Sequence, residues 1–509
     1  MERLELSQYF SEIYEKGEVP RFKVFIDGKW TLTKNRAPLI SPATGKKIAE
    51  ISVADSDDAD RAIESANRSK EKIRDMAAID RIELINTCRK ELSQHMDEVS
   101  EVLSLEAGKA SRSARGEINA VIERMRLAME DSRKIIGEYL PGDWASDTSQ
   151  KIALVIREPI GVVLGITPFN YSVFTSMAKV IPALLSGNSV IIKPPSADPI
   201  AFLMCTEVLR KTGVPEGTLQ VITGSGGAIS GKLVESEKIN MISFTGSTAV
   251  GKKIAQDSGL KKLHMELGGK GTAIVLEDAD LDSAAAECVR GSLELAGQRC
   301  DAISRILVVN GIADKFVELL SKHISDYKFG NPIEDTSVTM GPLINEESAK
   351  RVDDMVHDAI RKGAKLVAGG TRNGNYYAPT ILKDVPLNAV IANEETFGPV
   401  ITVIRVKDKE EARTVANASP FGLDSAVFTQ NFYSAWWLMK SLQVGNVTLN
   451  AAPSHGTAYF PFGGVKDSGQ GKEGVGYSIE EMMVIKTIIL NLAPKELGKK
   501  YSGKFKDFV

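Results

Sequence analysis

The chain is short of several things. Its 509 residues hold only four cysteines and five histidines. Cys88, Cys205, Cys288 and Cys300 form no CxxC pair and have no histidine at zinc-ligand spacing. That argues against a disulfide framework or a structural metal site and fits a reducing cytoplasm. The longest apolar runs, such as IALVI and GVVLGI, fall far short of the ~20 residues needed to span a bilayer. The opening MERLELSQYFSEIYEKGEVP is acidic and lacks an apolar h-region, so no secretory signal is expected. Neither sign of charge dominates: 63 basic residues stand against 66 acidic ones, and no basic face of the kind that neutralises nucleic-acid phosphates stands out. The mildly basic end KELGKKYSGKFKDFV reads as a solvated tail. No internal repeat or low-complexity segment is evident. These absences predict a soluble, cytoplasmic protein with neither nucleic acid nor membrane as a partner. At ~100–200 residues per domain the length predicts two or three domains.

What is present is patterned. Residues 56 to 137 carry apolar positions three and four apart with many i,i+4 charge pairs, the signature of helix. From about 162, short β-rich runs (VVLGI, SVIIK, LQVIT, MISFT, TAIVL) alternate with helical stretches such as PIAFLMCTEVLRKTG and TAVGKKIAQDS. This spacing predicts βαβ units and a doubly wound, parallel, Rossmann-like sheet. A second alternating region runs from RILVVNG through helices at 312–325 and 346–363 to VITVIRV and SAVFTQN. Two α/β domains meeting near residue 270 are expected, with ligands outside the carboxyl ends of strands.

Several polar residues fall at strand ends: Asn170 after GVVLGITPFN, Lys193 closing SVIIK, Gly246 and Ser247 after MISFT, Glu266 in KKLHMELGGK, and Cys300 past a helical stretch. Singly, each has a plain explanation. Asn170 suits a turn, Cys300 a small core residue, Glu266 a cap or surface charge, and His264 a strand residue. Jointly, a cysteine, a carboxylate and an amide donor are the parts of a covalent acyl mechanism. FTGSTAVG places small residues at a helix start, where backbone N–H groups and the helix dipole favour an anion. The glycines of TGSGGAISG are a weaker signal of the same kind.

ITPFN, IIKP, FTGSTAVG, MELGGK, GQRC and EETFGPV occur in that order, with Glu266 and Cys300 34 residues apart and Asn170 and Lys193 23 apart. In order and register they resemble the motifs of the aldehyde dehydrogenase superfamily, from about residue 22 to 490. The resemblance implies a dinucleotide-binding domain from 1–139 and 159–268, and a catalytic domain from 269–466. A small β oligomerisation extension would come from 140–158 and 467–509, and the apolar MMVIKTIILNL would be a hazardous exposed edge in a monomer, so a dimer or tetramer is expected. It further implies that the Cys300 thiolate attacks the aldehyde and that Asn170 and the Cys300 N–H hold the oxyanion. Glu266 would activate water for hydrolysis, since CoA-acylating relatives lack a carboxylate there. Thr167, Pro168, Phe169, Lys193, Ser196, Gly226, Phe244, Gly246, Ser247, Leu267, Glu395 and Phe397 would line the cofactor, with Lys193 on the adenosine ribose and Glu395 on the nicotinamide ribose. Lys179 matches a family lysine near the site. No metal is implied.

Two departures refine this. The family commonly has Lys-Pro-Ser-Glu after the strand, the Glu accepting from the adenosine 2′-hydroxyl. Here Ser196, in KPPS, stands in the acid's place, so NADP is favoured and tolerance of NAD stays open. Ser196 also suits a cap for a helix over 198–211. Arg299, before the cysteine, and Tyr171, after Asn170, resemble the non-phosphorylating glyceraldehyde-3-phosphate dehydrogenases, where they bind substrate phosphate; a guanidinium suits phosphate by bidentate bonding. Arg299 as an internal ion-pair partner is the alternative. Bacterial members of that branch have arginines where this chain has Ala120 and His455. Arg124 lies one helical turn from Ala120 with Arg126 close by, and His455 can donate to phosphate. The expected substrate is glyceraldehyde 3-phosphate, or another small anionic or hydroxylated aldehyde such as succinate semialdehyde, lactaldehyde or glyceraldehyde. An inactive binding protein with the same fold is the reading from a different class.

Overall fold

A computed structural model describes residues 4–492 except Ser225, His455, Thr457 and Ala458. Two parallel sheets organise it. In the first, strands Lys262–Glu266, Met241–Thr245, Val162–Ile166, Ser189–Lys193 and Leu219–Val221 lie side by side and parallel. Short antiparallel strands Gly469–Gln470 and Val24–Ile26 flank them. Every residue of Val162–Ile166 and Ser189–Lys193 is buried, as continuous apolar runs covered by helices on both faces must be. The chain builds outward from Val162–Ile166 on one side, then returns to add Met241–Thr245 on the other. Order therefore reverses between these two strands, and a crevice opens beyond their carboxyl ends.

The second sheet has the order Lys365–Ala368, Thr380–Lys383, Val400–Val406, Ile303–Val309, Gly271–Val275, Asp424–Phe428, Asn446–Leu449, parallel except at the first pair. Each sheet packs against its own apolar core, one built on Val163, Val190 and the helices Ala78–Gln94 and Ser111–Ser132, the other on Ile306, Leu307 and Val427. A third sheet is antiparallel. Met483–Asn491 pairs residue by residue with Lys151–Pro159, which also pairs with Glu138–Pro141. Its outer apolar side chains stay open to solvent, Ile485 at 64 % and Ile489 at 63 % exposure. Between them, residues 467–482 return to the first sheet, where Val475, Ile479 and Met482 join its core.

Local chemistry sets the boundaries. Helix Ser56–Arg74 begins where the Asp55 carboxylate accepts from the N–H groups of Asp57 and Asp58 and Asp58 reaches back to Asp55. The helix expected over 198–211 starts at Ile200, and Ser196 does not cap it. Its first N–H groups donate instead to the buried Glu106 carboxylate, at 2.7 Å from both Ile200 and Ala201. The Ser196 hydroxyl donates to the Gly224 carbonyl, 2.9 Å away. A charged carboxylate at a helix start satisfies two orphan donors and also complements the helix dipole, which a neutral hydroxyl does not. Among the described residues no helix is long and apolar enough to cross a membrane.

Candidate active site

Glu266 ends a strand of the first sheet, and Gly271 opens a strand of the second. Leu267, Gly268, Gly269 and Lys270 make the crossing. Gly269 is required by close approach to backbone, and Gly268 leaves room for the Glu395 side chain. A Cβ at Gly269 would stand 2.5 Å from the Cys300 carbonyl oxygen, and one at Gly268 would stand 2.8 Å from the Glu395 carboxylate. Glu395 also accepts from the Gly269 N–H at 3.1 Å. The crossing thus brings Glu266, Cys300 and Glu395 into one neighbourhood. Its far end is tied down by Lys270, whose Nζ donates to the Thr396 hydroxyl at 2.9 Å. Arg351 donates to the carbonyls of Glu395 (3.0 Å) and Thr396 (2.7 Å), fixing the loop that carries Phe397 in the left-handed region at φ 49°. The Phe397 ring meets Phe169 edge-on, centroids 5.8 Å apart, so the ITPFN and EETFGPV segments close on one another.

Asn170 is buried at the carboxyl end of Val162–Ile166, and its Oδ1 has no hydrogen-bond partner among the described residues. Neither oxygen of the buried Glu266 carboxylate has one. Burial raises the Glu266 pKa, and the nearby His264 pulls it back. His264 lies two residues earlier on the same strand, hence on the same face. Its Nε2 stands 3.4 Å from Glu266 Oε1 and its Nδ1 bonds the Glu481 carboxylate. Burial opposes its charge, yet the two carboxylates hold its pKa at about 9. Cys300 precedes the amino end of Ile303–Val309, not a carboxyl end as ligand sites in such sheets usually do. Burial, then the charges of Asp301, Asp424, Glu266 and Glu395, keep its thiol pKa well above the ordinary value. The thiol therefore needs a base to become a nucleophile.

The crevice of the first sheet is built to receive an anion. Helices Gly226–Glu235 and Thr248–Asp257 start beyond strands Leu219–Val221 and Met241–Thr245. Ser247 sits exposed at the second helix start with its hydroxyl making no cap bond. Gly246 folds against the Phe244 ring, and a Cβ at Gly251 would stand 2.3 Å from a Leu267 methyl, so the Leu267 side chain would have to shift. Lys193 is buried; its Nζ reaches only the Pro194 carbonyl, at 3.4 Å, and burial pushes its pKa down to about 8. A buried ammonium with no acidic partner among the described residues, an exposed Ser196 and the start of helix Thr248–Asp257, which no side chain caps, fit a phosphate-bearing dinucleotide. Thr167 and Pro168 lead from the strand to Phe169, the Thr167 hydroxyl sharing a hydrogen with Ser176 at 2.9 Å.

The match to known proteins agrees with this geometry. The sequence model of the Aldehyde dehydrogenase family matches residues 30–488. The chain belongs to the aldehyde dehydrogenase family. Among its relatives are an NADP-dependent glyceraldehyde-3-phosphate dehydrogenase from Streptococcus equinus, 39 % identical over 93 % of this chain and 99 % of that one, and a 3-sulfolactaldehyde dehydrogenase from Priestia aryabhattai, 35 % identical over 93 % and 99 %. The crystal structure of NADP-dependent glyceraldehyde-3-phosphate dehydrogenase from Bacillus halodurans C-125 complexed with NADP superposes with a TM-score of 0.91 at 36 % identity, over 92 % of this chain and 99 % of that one.

The residues read as substrate ligands have mixed placements. Arg299 is buried beside Cys300. Its Nε and Nη2 donate to both oxygens of Asp301 (2.9 and 2.6 Å), Nη2 to the Pro453 carbonyl (3.2 Å) and Nη1 to Glu294 (2.6 Å). The alternative reading of Arg299 as an ion-pair partner thus describes its contacts here. Tyr171 lies close enough that Arg299 opposes the rise in its pKa that burial causes. Arg124 is buried, with Nη2 3.8 Å from Glu473 and its guanidinium over the Phe174 ring. Glu473 also lies 3.7 Å from Lys179, whose Nζ donates to Thr245 at 2.8 Å. Arg126 points outward and pairs with Glu123 and Glu130 on the surface. His455 lies outside the described residues. Sequence reasoning passed over Glu294, Asp301, Glu473 and the contact of His264 with Glu266. Only the last had a sequence signal, the i, i+2 spacing along a strand.

Proposed function

We propose that the chain oxidises a small aldehyde with an anionic tail to the free acid using NADP, glyceraldehyde 3-phosphate to 3-phosphoglycerate being the leading case. The observation that carries this reading is the buried Arg299 guanidinium one residue before Cys300, with Tyr171 within electrostatic reach. The Streptococcus and Priestia relatives support it, since both are named for three-carbon aldehydes with an anionic group.

In this reading the Cys300 thiol gives its proton to the Glu266 carboxylate, which passes it to solvent, and the sulfur adds to the aldehyde carbon; the oxyanion accepts from the Asn170 amide and the Cys300 N–H, neutral donors suited to developing charge. NADP, when bound, would supply the acceptor for the hydride that leaves the aldehyde carbon. Glu266 then takes a proton from the water that hydrolyses the thioester, releasing acid and thiol without an acyl phosphate. Lys193 and Ser196 would hold the adenosine end of the cofactor, and Glu395 the nicotinamide ribose. The same reading assigns cofactor binding to 1–139 and 159–268, catalysis to 269–466, and subunit contact to 140–158 with 467–509. The exposed Ile485 and Ile489 face supports a homo-oligomer. The four free cysteines fit a cytoplasmic setting.

A second reading, an uncharged hydroxyaldehyde such as lactaldehyde or glyceraldehyde, is favoured by the pairing of Arg299 with two carboxylates. NADP reduction by phosphorylated and unphosphorylated aldehydes, with inorganic phosphate omitted, separates the two. Arg299→Leu should raise KM for glyceraldehyde 3-phosphate about tenfold or more over its effect on glyceraldehyde, the scale of one charge-assisted bond. Equal effects would exclude the phosphate contact.

A further inference from the structure

The two carboxylates on Arg299 are not alike. Asp301 is sealed, 4 % exposed in its side chain, and grips the Nε–Nη2 edge with both oxygens. Releasing it would strand a buried charge, so this grip is permanent. Glu294 binds Nη1 through one oxygen, and its side chain is 43 % exposed. That same oxygen already lies 3.9 Å from Nη1 of Arg290, a surface residue 40 % exposed. A monodentate pair reaching solvent exchanges at little cost, and Arg290, which already grips Glu287 through Nε and Nη2, keeps its Nη1 toward Glu294.

The backbone between these residues is strained. Leu295 and Ala296 both adopt left-handed conformations, φ 53° and 54°, in the turn that carries Glu294 back toward Arg299. Side chains with a Cβ rarely adopt this region, and such strain concentrates where a site is held ready to move. The far end of the turn is anchored, because Gln298 accepts from the Ile344 N–H at 2.9 Å. At the near end Glu294 closes the helix Leu281–Leu293, its N–H donating to the Arg290 carbonyl, so any exchange is a swing of the Glu294 side chain alone.

We propose that Glu294 is a specificity-determining internal ligand: it occupies the Nη1 edge of Arg299 in the free enzyme and moves to Arg290 when a substrate anion takes that edge. This rests on the anionic-tail reading above. With Asp301 on one edge of the Arg299 guanidinium and Glu294 on the other, both edges are already taken when a phosphate enters. Only a substrate whose own anion replaces Glu294 gains the contact, so the exchange separates charged from uncharged aldehydes.

The test compares wild type, Glu294→Gln and Arg290→Leu in steady-state NADP reduction. The readout is KM for glyceraldehyde divided by KM for glyceraldehyde 3-phosphate, together with competitive inhibition by inorganic phosphate against the aldehyde. Glu294→Gln keeps the shape and removes the competing charge. The ratio should rise about five- to tenfold, and phosphate should inhibit more tightly by a similar factor. Arg290→Leu removes the alternative partner and should lower the ratio. A ratio that stays within twofold or falls in Glu294→Gln, with phosphate inhibition unchanged, overturns the proposal. A wild-type ratio near one overturns the anionic-tail reading instead. In that case tighter phosphate inhibition in Glu294→Gln still upholds the Glu294 exchange, and unchanged inhibition removes it.

Discussion

The two parallel sheets present opposite ends to the same site. From the first come carboxyl ends, bearing Asn170 and Glu266 with unmet hydrogen-bonding capacity and Lys193 without an acidic partner. From the second come amino ends, ahead of Ile303 and Gly271, where charged side chains are already held. Arg299 is bound by Asp301 and Glu294, Lys270 by Thr396, and Arg305 by Thr272 and the Ala392 carbonyl. Beyond carboxyl ends, loops run into helix starts whose N–H groups point outward, which suits an incoming phosphate. Amino ends offer no such donors, so groups there are fixed by neighbouring side chains. One half of the site is built to receive, and the other is stocked with internal ligands.

The largest expected effect separates chemistry from cofactor binding. Cys300→Ser should lower kcat by on the order of 10³-fold or more, the size typical for loss of a covalent nucleophile. NADP should still raise its melting temperature, because most of the receiving groups, Lys193 and Ser196 among them, lie on the other sheet. Loss of that stabilisation in differential scanning fluorimetry would break the division between the halves. A smaller effect is expected in the receiving half. Ser196→Glu returns a carboxylate to face the 2′-phosphate, and the ratio of kcat/KM with NADP to that with NAD should fall about 10²-fold, a repulsion of about 3 kcal/mol. The KM for aldehyde should move far less; if both move together, Ser196 is not confined to cofactor recognition.

The smallest effect lies at the seam. With its pKa held at about 9, His264 is charged at neutral pH beside Glu266. Replacing it by Gln removes the charge that lowers the Glu266 pKa, so the base stays protonated to higher pH. The acidic limb of the kcat profile should shift upward by about half to one pH unit. Stability follows the linked direction. The His264 pKa is raised on folding from the ordinary 6.5. Its contribution is therefore complete below about 6.5 and is lost as pH rises through about 9. Wild type should lose stability relative to His264→Gln over that window in chemical denaturation. An unshifted limb would mean that the 3.4 Å contact does not set the charge of Glu266.

Much of the fold was readable because its strands are short apolar runs set apart by amphipathic helices. SVIIK, MISFT and VITVIRV are strands over their full lengths. The ordered motifs also named Asn170, Glu266 and Cys300. Placing Ser196 as a helix cap failed because Glu106, 90 residues earlier in the chain, supplies the acceptor. Arg124 and Arg126 looked interchangeable by helical spacing, yet one is buried against Glu473 and the other pairs on the surface. Helical periodicity ranks faces and says nothing of what is packed on them.

By itself the sequence determined the α/β class, the parallel sheets and the order of the motif-bearing loops, since these follow from periodicity and from residue types at fixed spacing. Tertiary structure decided which charges remain available. Lys193 meets no acid, Glu266 meets His264, and Arg299 meets Asp301 and Glu294. The physical reason is that a charge is settled by its partners within a few ångströms, and burial strengthens each such pairing. Distance along the chain does not foretell them: Arg299 meets Asp301 and Glu294, two and five residues away, through the turn at Leu295 and Ala296, while His264 also reaches Glu481, 217 residues on.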